Sequence, residues 1–263
     1  MGMMQALWSY RGFVLGSVRR EFQAKYRNTM LGAAWAILSP LAMIVVYTMI
    51  FSQVMKSKLP GDASQYGYSI YLCAGILTWG LFAEILTRAQ GMFLENANLL
   101  KKVSFPRICL PVIVVLNALN NFAIIFGLFT VFLLLSGQFP GAVFALLVPV
   151  IGVMVLLAVG LGLVLGVLNV FFRDVGQFFM IFLQFWFWLT PIVYPTSIVP
   201  EEVRAALAMN PLAGPVQACQ DILVSGKTPD WGALWPATAL AILLCLLGLY
   251  LFRRRAGEMV DEL

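Results

Sequence analysis

The stretch VFALLVPVIGVMVLLAVGLGLVLGVLNVFF, residues 143–172, contains no charged side chain. Because an α-helix of about 20 apolar residues crosses the hydrocarbon core of a bilayer, this stretch predicts a transmembrane helix, with tilt or frayed ends taking up its extra length. Similar runs occur along the rest of the chain. Together with this one they cover residues 30–55, 68–87, 110–136, 143–172, 176–194 and 234–252. The sequence therefore predicts an all-α integral membrane protein with six transmembrane helices.

The composition agrees with a membrane location. Apolar residues make up 61% of the 263 residues and charged residues 11%, against about 45–50% and about 25% in soluble domains. A single domain of this size cannot hide so many apolar side chains in its interior. The composition therefore excludes an ordinary soluble protein.

Several kinds of catalytic site are excluded by the residues present. The chain has no histidine, which excludes Ser-His-Asp triads and HExxH zinc sites. Its four cysteines show no CxxC spacing, so we assign neither a metal site nor a disulfide. The segment SGKT, residues 225–228, resembles the end of a phosphate-binding loop, but Asp221 occupies the position that needs glycine. We expect no catalytic, metal or nucleotide site.

The positive charges indicate the orientation of the chain in the membrane. Most lie in the segment before the first run, in alternate loops and in the tail: Arg11, Arg19, Arg20, Lys25, Arg27, Arg88, Lys101, Lys102, Arg107, Arg173, Arg253, Arg254 and Arg255. The opposite side carries Lys56, Lys58, Arg204 and Lys227. Because short cytoplasmic loops are enriched in Lys and Arg, both termini are predicted to be cytoplasmic. The net charge of +5 thus reflects topology, and we expect no nucleic-acid partner.

An amphipathic helix is predicted before the first run. Leu7, Tyr10, Val14, Val18 and Phe22 repeat at helical spacing, as in a helix that lies in the membrane interface. Arg11 and Glu21 interrupt the pattern, and a simple positively charged anchor is the alternative.

Two short extracytoplasmic helices are predicted between the fifth and sixth runs. Residues 195–232 are too many for a turn and contain no run that could span the membrane. Pro200 can open a helix over residues 201–209, and Asn210 with Pro211 can open a second that continues toward Val224. An ordinary extracytoplasmic loop is the alternative.

Charged and small residues inside the runs suggest helix contacts. Glu84 is the one acid well inside a predicted span, and Arg88 lies one helical turn later. We predict an intramembrane ion pair, with a gating or proton-carrying role as the alternative. Gly162 and Gly166 form a GxxxG pair, which we assign to packing within the chain in preference to a dimer contact.

Aromatic residues crowd the fifth run. Phe178, Phe182 and Phe185 share one helical face, and their rings could line a path along which the apolar faces of sugars move. Trp186 and Tyr194 complete this predicted substrate conduit. Contact with lipid or packing in the core is the alternative.

Five short segments resemble the polysaccharide-export branch of the ABC-transporter permeases, which moves O-antigen, capsule or teichoic acid chains. They occur in order over nearly the whole chain: KYRNTMLGAAWAILSP (residues 25–40), FPRICLPV (105–112), FFRDV (171–175), LTPIVYP (189–195) and NPLAG (210–214). The resemblance implies a permease that exports a lipid-linked polysaccharide across the bacterial inner membrane. It also implies a homodimer with separate ABC ATPase subunits, which would bind ATP and Mg²⁺, while this chain binds no cofactor itself.

The resemblance also implies roles for particular residues. The amino-terminal helix, the loop before FPRICLPV and the FFRDV segment would contact the ATPase. The loop between the second and third runs, with apolar residues flanked by charges, suits docking on its own pattern, although a solvated loop is the alternative. The expected coupling residues are Lys101, Lys102, Phe105, Pro106, Arg107, Arg173 and Asp174. Asn210 and Pro211 would belong to an outer gate.

We treat residues 1–263 as one transmembrane permease domain. It comprises the interface helix (1–29), the first five spans (30–194), the outer helices (195–232) and the sixth span with the tail (233–263). The alternatives are a permease of the same architecture that exports a drug or a lipid, a passive channel, and a membrane-embedded glycan or acyl transferase. The transferase would use carboxylates of the outer loop: Glu201, Glu202, Asp221 and Asp230.

Overall fold

A computed structural model describes residues 5, 8–27, 31–50, 66–102, 106–255 and 257–262. The regular structure of these residues is helical throughout, as the sequence predicts. The helices are α1 (Arg11–Tyr26), α2 (Trp35–Thr48), α3 (Gly67–Glu95), α4 (Ala97–Lys102), α5 (Cys109–Leu135), α6 (Leu147–Phe171), α7 (Asp174–Trp188), α8 (Glu201–Ala208), α9 (Ala213–Ser225), α10 (Trp231–Arg255) and α11 (Glu258–Glu262).

Four helical segments in the described part of the chain are long and apolar enough to span a membrane: Gly67–Glu95, Cys109–Leu135, Gly141–Phe171 and Trp231–Arg255. They correspond to the second, third, fourth and sixth predicted spans. The six-span count itself stays a prediction, because α2 has 14 residues and α7 has 15. At 1.5 Å per residue each is about 21–23 Å long.

The ends of these two shorter helices differ from the predicted runs for separate reasons. The fifth run, residues 176–194, is helical only as far as Trp188. Thr190 precedes Pro191, and the residue before a proline is disfavoured in helical conformation. For the first run, residues 30 and 51–55 lie outside the described residues.

Helix α3 lies at the centre of the bundle. In its most apolar stretch 72% of the residues are buried, against 22–28% in the other three candidate spans. It packs against α5, α6, α7 and α9, and Phe82, Ile85, Leu86 and Phe93 are fully enclosed. The other spans therefore leave large apolar faces for lipid or for a partner chain.

Glycines allow α6 to approach its two neighbours closely. A Cβ on Gly162 would lie 2.5 Å from the Cβ of Ala89 on α3, and one on Gly166 would lie 2.7 Å from the Ala89 carbonyl oxygen. On the other side, a Cβ on Gly160 would lie 2.7 Å from the backbone nitrogen of Cys245 on α10. The structure thus assigns the Gly162–Gly166 pair to packing within the chain.

The amino-terminal helix α1 rests on the beginning of α5. Val14 is buried against Cys109 and Ile113, and Phe13 and Val18 pack around this contact. Two of the predicted stripe residues, Val14 and Val18, therefore face protein in the structure. Leu7 lies outside the described residues.

The segment between α7 and α10 contains the short helices α8 and α9. Helix α9 begins at Ala213, later than the sequence analysis expects, because Asn210 and Pro211 belong to the preceding turn, in which the Asn210 side chain accepts the backbone N–H of Leu212 at 3.0 Å. Gly226, with φ +58°, closes the other end of α9. The SGKT segment is therefore the end of a helix and not a loop that opens one.

Candidate functional site

The α6–α7 corner is held by one buried asparagine. Asn169 donates a hydrogen bond to the backbone carbonyl of Gln90 on α3 (2.9 Å) and accepts one from the backbone N–H of Gly176 on α7 (2.9 Å). The predicted coupling residues Arg173 and Asp174 lie between these anchors and are exposed. Asp174 is in the first turn of α7, where a carboxylate interacts favourably with the helix dipole.

The predicted docking loop begins with a short helix. Asn96 lies between α3 and α4, and its side chain donates a hydrogen bond to the Met92 carbonyl at 2.8 Å. Lys101 is exposed on α4, and Pro106 and Arg107 are half-buried just before α5. The side chain of Lys102 and the whole of Phe105 lie outside the described residues.

The carboxy-terminal helix α11 folds back onto this end of the bundle. Met259 is buried in a cluster with Phe93 and Phe252, against which Leu100 of α4 also packs. Arg255 forms an ion pair with Glu258, and its guanidinium lies 5.9 Å from the centre of the Phe171 ring. The structure thus brings α4, the tail and the end of α6 together. The sequence analysis did not include α11, although an apolar Met259 within a charged tail was an available signal.

The predicted aromatic face of α7 is open in the single chain. The exposed fractions of Phe178, Phe182 and Phe185 are 71%, 39% and 63%. A different part of α7 borders an open cavity of about 440 Å³, lined by Trp79, Met180, Leu183, Gln184, Phe187 and Trp188. By helical spacing, the α7 residues of this cavity lie on the other side of the helix from the three phenylalanines, so this ring-lined surface, which includes Trp79 of α3, is separate from the exposed face.

Trp186 and Tyr194 are placed differently from the three phenylalanines. The Trp186 ring packs edge-on against Phe82, with 5.4 Å between ring centres, and its indole N–H donates to the Asn210 side chain at 2.9 Å. The Tyr194 hydroxyl donates to the Trp188 carbonyl at 2.9 Å. The Trp186 ring also packs against Phe182, with 5.3 Å between ring centres. Trp186 therefore connects the exposed face of α7 to the bundle interior and to the outer helices.

Asn210 connects the end of α7 to the beginning of α9. Its amide nitrogen donates to the Leu189 carbonyl (3.0 Å) and to the Thr190 hydroxyl (2.9 Å), while its oxygen accepts from Trp186 and from Leu212. If α7 and the outer helices move apart, the hydrogen bonds of Asn210 must break, and if they move together, Asn210 must move with them. A gate residue needs such a position between two elements. Pro211 follows it in the same turn.

Asn210→Ala is expected to lower the free energy of unfolding by about 1–2 kcal/mol, because several hydrogen bonds are lost at one partly buried position. The measurement is thermal unfolding of the purified chain in detergent. Asn96→Ala is the control, since Asn96 bonds to a carbonyl one turn away on its own segment. Equal melting temperatures for the two variants would contradict the role assigned to Asn210.

The outer carboxylates have local structural partners. Asp230 accepts the backbone N–H of Gly232 at 2.8 Å at the start of α10. Glu201 and Glu202 lie in the first turn of α8, where acidic side chains interact favourably with the helix dipole. Burial raises the pKa of Asp221, and nearby Lys227 opposes this shift. Among the described residues, no three acids, cysteines or histidines group as metal ligands would.

Glu84 and Arg88 belong to a larger polar cluster. An Arg88 guanidinium nitrogen lies 3.5 Å from a Glu84 carboxylate oxygen, and Arg88 also forms an ion pair with Glu21 of α1. Asn121 of α5 donates to Glu84 at 3.0 Å, and Asn117 donates to Glu21. Glu21 and the asparagines were not predicted as members of this cluster. Their signal was the spacing of Asn117, Asn120 and Asn121, which places three amides on one face of an apolar helix.

Comparisons with known proteins agree with this architecture. Residues 14–224 match the family described as ABC-2 type transporter. The O-antigen export system permease protein RfbA of Myxococcus xanthus is 28% identical, with 99% of each chain covered. A protein of the same name from Klebsiella pneumoniae is also 28% identical, over 89% of this chain and 88% of its own. The polysialic acid transport protein KpsM of Escherichia coli is 23% identical, over 92% and 93%.

Proposed function

Because the chain belongs to the ABC-2 type transporter family, we propose that it is the permease subunit of an ATP-driven exporter that moves a lipid-linked polysaccharide across the bacterial inner membrane. The observation that carries this proposal is similarity over nearly the full length to permeases named for O-antigen export. A relative named for polysialic acid transport extends the substrate class from O-antigen to other polysaccharides. Both termini face the cytoplasm in this proposal.

ATP is hydrolysed on a separate ABC ATPase subunit. The only segment of the sequence that resembles a phosphate-binding loop, residues 225–228, follows α9 as its carboxy-terminal cap. In this proposal ATP and Mg²⁺ bind to the partner subunit. The surface proposed to meet it comprises α4, the α6–α7 corner with Arg173 and Asp174, and α11, all of which lie at the end that the charge distribution assigns to the cytoplasm.

The polysaccharide passes between two copies of this chain. The rings of Phe178 and Phe185 are 71% and 63% exposed, and that of Phe182 is 39% exposed although it also packs against Phe179 and Trp186. A second copy facing them would enclose a path with aromatic walls. Rings bind the apolar faces of sugars without fixing them in one position, which suits a polymer that must slide. Asn210 and Pro211 form the outer gate of this path.

Arg173→Glu is expected to lower the amount of co-purifying ATPase about tenfold, because it reverses a charge at the proposed interface. The measurement is the ATPase-to-permease ratio after affinity purification in mild detergent. Lys227→Glu is the matched control, since it reverses an exposed charge at the predicted outer end. A ratio that is unchanged by Arg173→Glu, or lowered equally by Lys227→Glu, would exclude this corner as the contact.

The proposed function is tested by tagging this chain, purifying it from its native membrane and identifying the proteins that accompany it. We expect an ABC ATPase in equal amount and ATP hydrolysis that depends on it. Permease that hydrolyses ATP at the full rate alone, or that has no ATPase under mild extraction, would contradict the proposal.

A further inference from the structure

A polar cavity of about 510 Å³ lies where α1, α3 and α5 meet. Its lining is formed by Glu21, Phe22, Ala24, Lys25, Glu84, Arg88, Asn117, Asn120 and Asn121. The volume falls within the range of about 300–1,000 Å³ that is usual for small-molecule sites. The cavity is separate from the ring-lined surface beside α7, with which it shares no lining residue.

The asparagines indicate that this cavity is a polar site and not simply an unfilled space between apolar helices. They lie about 12–18 Å along α5 from Cys109, in a helix that is long and apolar enough to span the membrane. Amide side chains at such depth face protein or water, because hydrocarbon offers them no hydrogen-bond partner. Asn117 and Asn121 bond to Glu21 and Glu84. Asn120 is exposed, and no residue described in the structure bonds to its side chain.

The charges of the lining cancel. Glu21 and Glu84 oppose Lys25 and Arg88, and Arg88 contacts both carboxylates. An anionic ligand such as a phosphate would have to compete with these carboxylates for the guanidinium, whereas a neutral ligand leaves the ion pairs intact. Amides and carboxylates together offer both donors and acceptors, and Phe22 adds a ring.

We propose that this cavity binds a neutral, hydroxyl-rich sugar unit, as a subsite for the polysaccharide at the predicted cytoplasmic half of the membrane. Asn120 is its open hydrogen-bonding group, and the paired carboxylates supply acceptors for sugar hydroxyls. The inference rests on the proposed function, because it adds a polar site for individual sugar units to the aromatic path along α7.

The test uses cysteine labelling of the full chain in lipid nanodiscs. Ala24→Cys is made with Cys245→Ala, because Ala24 lines the cavity, is exposed and carries no binding group, whereas Cys73, Cys109 and Cys219 are buried. The probes are lactose, a mannose disaccharide and an N-acetylglucosamine disaccharide, with inorganic pyrophosphate as the charged probe. Ala123→Cys is the matched control, because Ala123 is also an exposed alanine on a helix that borders the cavity but is not part of the lining.

At least one neutral disaccharide is expected to slow maleimide labelling of Ala24→Cys about tenfold at concentrations well above its Kd, with no effect on Ala123→Cys. Pyrophosphate is expected to protect neither. Protection by pyrophosphate alone, or by no disaccharide, would overturn the proposal.

A second variant gives an independent readout. Asn120→Phe, which removes the amide and places a bulky ring in the cavity, is expected to reduce polysaccharide export several-fold, and Ala123→Phe is expected to leave it unchanged. Equal export by both variants would overturn the subsite. Polysaccharide export and ATPase co-purification, both measured with the unmodified chain, distinguish failure of the subsite from failure of the proposed function. If both are present and the cavity tests fail, only the subsite is wrong, whereas their absence overturns the proposed function.

Discussion

Gly166→Leu is expected to prevent α3 and α6 from packing and to abolish export. Even a Cβ at this position would lie 2.7 Å from the Ala89 carbonyl oxygen, and 3.3 Å and 3.4 Å from Phe93 and Met92. The backbone oxygen cannot move aside as a flexible side chain can, so the helices must separate. Overpacking costs about 1–3 kcal/mol and occasionally more, and we expect the upper end here because the obstacle is a backbone atom. The measurement is the fraction of monodisperse protein and its melting temperature in detergent, followed by export in cells.

Gly152→Leu on the same helix is the matched control. A Cβ on Gly152 would have no atom within 4 Å, so a larger side chain there extends into open space. We expect this variant to fold and export normally. If Gly152→Leu and Gly166→Leu lose stability equally, the close contact between α3 and α6 is not the reason that position 166 requires glycine.

Arg88→Ala is expected to destabilise the chain by about 2–3 kcal/mol and to release α1 from the bundle. The substitution leaves Glu21 and Glu84 without the cation that contacts both. Removing one partner of a buried ion pair costs about 3–5 kcal/mol. Here 33% of the Arg88 side chain and 44% of the Glu21 side chain are exposed, which reduces the cost. Melting temperature and proteolysis of the amino-terminal segment measure the two effects.

Two controls separate the unpaired charge from the loss of an arginine. Arg254→Ala removes an exposed arginine that donates to the Tyr250 hydroxyl on the same helix, and we expect almost no change. A triple variant, Glu21→Gln with Glu84→Gln and Arg88→Gln, removes all three charges and is expected to recover much of the stability. If it is as unstable as Arg88→Ala, the effect does not come from unpaired carboxylates.

Hydropathy was sufficient to predict the helical fold and four of its spans, because length and apolar content decide whether a helix can cross a bilayer. It could not predict that α3 is the central helix. The runs at α3, α5 and α6 are all apolar, and the choice among them depends on which faces fit together. Gly162 and Gly166 indicated a close contact, but only the structure identifies Ala89 as the partner.

For individual site residues too, the sequence predicted some features and not others. Glu21 interrupts the amphipathic pattern of α1, and the reason lies in Arg88, which is distant in sequence and which a local pattern cannot identify. Helical spacing placed Phe182 and Trp186 together in the conduit. The structure keeps these two rings together, with 5.3 Å between their centres. The spacing could not predict that the Trp186 indole N–H, which needs an acceptor when partly buried, donates to Asn210, nor that the ring packs against Phe82.

The most direct test of the proposed function compares the polysaccharide at the cell surface with that retained inside, in cells with and without this chain. Without it, we expect the surface polysaccharide to disappear and lipid-linked chains to accumulate at the inner face of the cytoplasmic membrane. Restoring the chain together with its ATPase should reverse both changes. Surface polysaccharide that is unchanged in cells lacking the chain would contradict a role in polysaccharide export.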